Sequence, residues 1–159
     1  MHYLVNLIVE AKNADEANEA AVTIMDDLVE WHEFDWYTVD SEQSRWEGCW
    51  QPVRLNTKAA RALVQTAMDE QYLCFKETLE TIRLMLEHHT DEQIFNEVFD
   101  SKVTGHSFSR YQLYKASGYA ASVCQIFGQG GEYITSQRAL DMFLANSKNL
   151  WLVQVDCHN

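Results

Sequence analysis

The chain has 159 residues, 24 of them acidic against 12 Lys or Arg, for a formal net charge of −12; 47% are hydrophobic, with six Gly and one Pro. That length predicts one domain with a real core, and the composition excludes disordered, collagen-like and low-complexity chains. No apolar run approaches the roughly 20 residues of a membrane helix, and Met1-His2-Tyr3-Leu4 lacks the basic-then-apolar order of a signal peptide.

Residues 2–10 alternate, with Tyr3, Val5, Leu7 and Val9 on one face and His2, Leu4, Asn6, Ile8 and Glu10 on the other. Apolar residues occupy both faces, which predicts a central strand. Asn13 with Glu16 offers a capping box, and Ala17, Ala21, Ile24 and Leu28 repeat at helical spacing, with Met25 and Val29 widening the stripe. A helix is therefore expected at about 14–31. Segments 34–40 and 45–51 read as two short aromatic strands joined by a turn at 40–44, a hairpin ended by Pro52.

From Thr57 a helical pattern runs to about His89, roughly 50 Å at 1.5 Å per residue. Met68, Tyr72, Phe75, Leu79, Ile82 and Leu86 form a coiled-coil-like seam along it, suited either to the chain's own sheet or to a second copy. Thr90 with Gln93 opens a fresh short helix to about Phe99. Residues 101–109 read as a loop, a lid if the chain binds a small molecule. Ser109 would cap a helix from Arg110 to Phe127, with Tyr111, Tyr114, Gly118, Ala120 and Ala121 on one face and Gly128 as its stop. A helix at about 136–146 and a strand at 150–156 complete the chain. The order β-α-β-β-α…β predicts an α+β, ferredoxin-like sandwich with extra helices inserted before the last strand. Its single domain, 1–159, would comprise a core of 1–89 plus 150–157 and a helical insertion at 90–149. In that topology the first and last strands pair antiparallel, which brings His2 close to Asp156, Cys157 and His158.

Four cysteines, Cys49, Cys74, Cys124 and Cys157, form no C-x-x-C pair, which argues against a structural zinc site or a redox motif. Cys74 and Cys124 read as buried thiols in helical patterns. Cysteines without an export signal predict a reducing cytoplasm. His88 and Glu92 share a helix face at i, i+4, as do His89 and Gln93, but no diagnostic metal spacing is present, and the pair reads as a helix cap. Gly128-Gln129-Gly130-Gly131 lacks the Lys-Ser/Thr of a phosphate loop and is read as following a helix.

The charge is uneven. Residues 1–50 hold twelve acids and two bases, whereas 101–159 hold three acids and five bases. Four of the five tryptophans, Trp31, Trp36, Trp46 and Trp50, fall in 31–50. With Trp36 opposite Gly48 and Phe34 opposite Trp50, the hairpin would present one aromatic face ringed by carboxylates, an arrangement that suits a cation or a protein hot spot. These features predict a small acidic cytoplasmic binding protein, a non-catalytic adaptor or inhibitor of a basic protein partner. Nucleic-acid mimicry is one version of that role. The docking residues would be Glu30, Trp31, Glu33, Asp35, Trp36, Trp46, Glu47 and Trp50, and the 68–86 seam would support a homodimer. Direct nucleic-acid and membrane binding are disfavoured by charge, and no metal or cofactor is expected. The alternative is a small-molecule binder or enzyme with a pocket lined by Trp36, Trp46 and Trp50, where His88, His106 or Glu47 supplies polar chemistry.

Overall fold

The computed structural model describes residues 1–100, 108–116 and 122–159. The elements are β1 (His2–Glu10), α1 (Ala14–Glu30), β2 (Trp36–Tyr37), β3 (Val53–Arg54), α2 (Lys58–His88), α3 (Asp91–Phe95), α4 (Tyr111–Ala116), β4 (Cys124–Phe127), α5 (Gln137–Asn146) and β5 (Leu150–His158). The fold is α+β, with a five-stranded mixed sheet and interspersed helices. The chain divides into two compact units, Met1–Glu70 with Val123–Asn159, and Gln71–Ser122. β4 and α5, which lie within the stretch read as an insertion, belong to the first unit.

In the first unit β1 is the central strand its two-sided apolar pattern predicts. It pairs antiparallel with β5 from His2↔His158 to Glu10↔Leu150, and parallel with β4 from Leu4↔Cys124 to Leu7↔Phe127. α1 starts at the expected Asn13 cap, whose side chain accepts from the Glu16 N–H; the Glu16 carboxylate accepts from the Lys12 N–H rather than from Asn13's own, so the box is half formed. The buried stripe Ala17, Ala21, Ile24, Met25 and Leu28 covers one sheet face, against Val5, Leu7, Val153 and Val155. The other face packs Ile8, Ile126 and Leu152 against the first turns of α2 (Ala60, Val64, Ala67) and against Leu140 of α5. Helices thus cover both faces of one sheet, and apolar burial on each side holds the layers together.

The hairpin does not form. β2 pairs with β5 (Trp36↔His158, Tyr37↔Cys157), and β3, which follows Pro52, also pairs with β5 (Val53↔Leu152, Arg54↔Trp151). The sheet order is β2-β5-β1-β4 with β3 beside β5, so the strand–strand hairpin of the expected ferredoxin-like order is absent among the described residues, although its first-to-last pairing is present. Residues 45–51 instead make turns. Gly48 and Trp50 take left-handed backbone angles (φ 85° and 59°), which no pleated strand accommodates. The nine-residue β5 offers a longer edge than any two-residue hairpin partner, and the segment spends its backbone groups there: Trp50 N–H donates to the Gln154 carbonyl, and Thr38 N–H to that of Asp156.

The expected helix 110–127 is a second correction. α4 ends at Ala116, and residues 124–127 form β4, drawn into the open edge of β1. Gly118, Ala120, Ala121 and most of the expected loop, 101–107, lie outside the described residues. A short apolar run reads equally as strand or helix, and here the neighbouring strand decides.

In the second unit Ile82 and Met85 of α2 pack with Ile94 and Phe108. Thr90 makes the expected capping box with Gln93. The seam is divided in its use. Met68 and Ile82 are buried in the cores of the first and second units respectively, Leu79 is half-buried, and Tyr72, Phe75 and Leu86 are exposed. No helix among the described residues is long and apolar enough to cross a membrane.

Candidate functional site

The antiparallel register of β1 and β5 places cross-strand partners on the same sheet face. Ile8↔Leu152, Asn6↔Gln154, Leu4↔Asp156 and His2↔His158 therefore form a ladder that changes from apolar to polar to ionisable along the strands. Gln154 Nε2 donates to Asn6 Oδ1 (2.9 Å), and Asn6 Nδ2 donates to the Gln125 carbonyl (3.2 Å), so the buried amides are bonded across the sheet. At the ionisable end, buried Asp156 receives two N–H groups. Its Oδ1 lies 2.8 Å from His2 Nδ1, and its Oδ2 accepts from the Arg45 backbone N–H at 2.8 Å. One carboxylate thus orients an imidazole and anchors the 40–50 loop to the sheet. The expectation that strand pairing would bring His2 to Asp156 and His158 is met.

Register also puts Trp36 of β2 beside His158. The indole stacks on that imidazole (5.4 Å between centroids, 8° between planes), and His2 meets both rings edge-on. Asp35 Oδ2 lies 3.4 Å from His158 Nδ1. Trp36 remains 46% exposed, and Asp35 and Glu33 are exposed beside it in the chain. Among the described residues no Lys or Arg pairs with Glu30, Glu33 or Asp35.

The remaining predicted docking residues each have their own surroundings. Trp31 ends α1 and is 55% exposed, but its ring lies against Gly131, where an added Cβ would come within 2.8 Å of it. Trp46 and Trp50 are half-buried, Trp50 being held by its own Nε1–H donating to the Thr38 carbonyl and by Tyr37 at 6.0 Å. Glu47 is exposed. Among the described residues no ring contact joins any two of Trp31, Trp36, Trp46 and Trp50.

On the opposite sheet face Tyr37 donates its hydroxyl to Asp26 (2.6 Å); burial, then that bond and the Asp26 charge, push its phenol up from its ordinary value. Cys49 and Cys157 are the buried thiols, whereas Cys74 in mid-α2 and Cys124 at the start of β4 are only half-buried, contrary to the sequence reading. Burial raises both buried thiols; for Cys157 the Asp156 charge adds to it, and for Cys49 a Ser44 hydrogen bond opposes it. Neither is poised as a thiolate nucleophile.

His89 is buried with both ring nitrogens in use. Nδ1 bonds the Met85 carbonyl in the last turn of α2, and Nε2 accepts from the Asp100 N–H, which fixes the proton on Nδ1. It caps the helix, as the sequence reading has it. His88 is exposed, and His106 lies outside the described residues. The glycine-rich segment follows a strand, β4, rather than a helix. Its loop is already occupied by an anion of the chain: the Glu132 carboxylate accepts from the Gly130 N–H at 2.8 Å. Among the described residues no group of three or more His, Cys, Asp or Glu is arranged to hold a metal.

A cavity of about 600 Å³ opens elsewhere, among β3, the first turns of α2, and α5. No tryptophan lines it, so the Trp-lined pocket of the alternative reading has no counterpart there.

No curated protein and no solved structure matches the chain. A family model, described as Domain of unknown function (DUF7995), matches residues 1–159, and the chain belongs to that family.

Proposed function

We propose that the protein binds a basic protein partner, as an adaptor or inhibitor, through the edge of the sheet formed by β2. The observation that carries this reading is Trp36. It is large, half exposed and immobilised by stacking on His158, with Asp35 at the same imidazole and the unpaired carboxylates of Glu30 and Glu33 nearby in the chain. A rigid indole face flanked by carboxylates attracts Lys or Arg by cation–π and Coulombic interaction together, and it loses little side-chain entropy on docking. The net charge of −12 favours encounter with a cationic surface. We place this role in the cytoplasm, where four free thiols are at home.

The test is an arginine-rich peptide titrated against immobilised protein at graded salt. Binding should weaken with salt and disappear when Glu30, Glu33 and Asp35 are all changed to Lys, and Trp36→Ala should weaken it at least about tenfold. Equal binding by wild type and the charge-reversed variant refutes the reading. A homodimer through α2 is a second proposal, supported by exposed Tyr72 (68%), Leu73 (48%) and Phe75 (38%) close together on one helix. Sedimentation of wild type against Phe75→Asp tests it, a monomer in both refuting it.

A further inference from the structure

The cavity beside β3 reverses the charge character of the chain. In a sequence with twice as many acids as bases, its lining contains Arg54 and Arg61 and no Asp or Glu. The nearby carboxylates of Asp69 and Asp141 are engaged by amides, receiving Gln65 Nε2 and Gln137 Nε2 at 2.8 Å each. Neither arginine has a carboxylate within ion-pair distance among the described residues. Both are nevertheless positioned. Arg54 lies 4.7 Å over the Trp151 ring and donates from Nη2 to the Lys12 carbonyl, and Arg61 donates from Nε to the Leu55 carbonyl, each at 3.4 Å. A guanidinium carries five N–H donors, so one bond each leaves both forks largely free. Leu55, Val64, Leu140, Leu144 and Leu150 make the apolar part of the lining, and the other five residues are Asn, Gln and Ser. About 600 Å³ is the size of a metabolite site, and this one sets an apolar strip beside polar side chains and two guanidinium groups.

We propose that this cavity binds a small amphipathic carboxylate, its head between Arg54 and Arg61 and its hydrocarbon or aromatic body against Val64, Leu140 and Leu144. The monoanion is favoured over a phosphate because the protein's own negative field opposes a ligand in proportion to its charge. This site shares no residue with the Trp36 edge and stands or falls separately from it.

The test uses isothermal titration with octanoate, octanol and phenyl phosphate, each to about 1 mM. Octanoate should bind saturably, and octanol at least about tenfold more weakly, because it lacks the charge-assisted bonds. Arg61→Gln should cost octanoate at least about tenfold and Arg61→Lys less, since lysine restores the charge but not the fork. Leu144→Trp should weaken octanoate binding, because the indole takes space where the ligand body packs. Both side chains are at least partly exposed, and an unchanged circular dichroism spectrum verifies the fold of each variant. Arg54→Gln serves as a second probe of the head site. Octanol binding as tightly as octanoate, octanoate binding that survives Arg61→Gln and Arg54→Gln unchanged, no saturable octanoate binding, or tighter binding of phenyl phosphate each overturns the proposal.

Discussion

Replacing Asp156 by Asn tests whether one buried carboxylate holds the ionisable end of the sheet together. Asp156 is 1% exposed and receives His2 Nδ1 and the Arg45 N–H at 2.8 Å each. Asparagine keeps the volume, so no cavity is created, but it offers one acceptor oxygen and an NH₂ group in place of two acceptor oxygens. Its oxygen keeps the Arg45 N–H, and its NH₂ donates to His2 Nδ1 once the imidazole moves its proton to Nε2, so both bonds become neutral. A hydrogen bond to a charged group is worth about 1.5–3 kcal/mol and a neutral one about 1 kcal/mol. Removing the charge relieves part of its desolvation cost. Two bonds change from charged to neutral, so the net loss is about 2 kcal/mol, and at about 2–4 °C per kcal/mol for a chain of this size the melting midpoint should fall by about 4–8 °C. All five tryptophans lie in the first unit, so their fluorescence follows the relevant transition. Hydrogen exchange supplies a local readout, since the Arg45 amide, bonded to a neutral oxygen in place of a carboxylate, should exchange faster. A midpoint within about 1 °C of wild type, with Arg45 exchange unchanged, would show that the carboxylate neither anchors the loop nor stabilises the strand ends.

Three further outcomes follow from the same structure. Gly128→Ala should destabilise by about 1–3 kcal/mol in urea titration, because the new Cβ would sit 2.3 Å from Glu132 Oε1 and 2.7 Å from the Phe143 ring; adding Glu132→Ala should recover part of that loss, and strict additivity would refute the stated clash. Phe75→Asp should change stability by less than about 1.5 kcal/mol, whereas Met68→Asp, which buries a charge in the apolar core of the first unit, should cost more than about 4 kcal/mol; similar urea midpoints for the two variants would contradict this division of the seam. The groups raised by burial, Tyr37, Cys49 and Cys157, hold their protons more tightly folded than unfolded, so their contribution is complete below pH about 9 and is lost as the pH rises toward their folded values. The urea midpoint should therefore be flat from pH 7 to 8.5 and fall by pH 10.5, with a shallower fall in Tyr37→Phe; a flat midpoint across the whole range would refute it.

Local signals with local partners were legible in the sequence. The Asn13 and Thr90–Gln93 caps, the α1 stripe, the break after His88 and the helix at about 136–146 depend on residues three or four apart. The two-sided apolar pattern of residues 2–10 likewise identified a central strand, and the expected antiparallel pairing of first and last strands foretold the meeting of His2, Asp156 and His158. Tertiary structure alone decided where short segments went. Trp36–Tyr37 and Val53–Arg54 each extend for two residues, too little to set a register by themselves, and both took the edge of β5 in preference to a hairpin. Residues 124–127 became a strand because β1 had an edge to fill. The same competition left the expected aromatic hairpin unformed. It also assembled the Arg54–Arg61 cavity from segments whose chain spacing carries no motif, because only folding brings β3, α2 and α5 around one space.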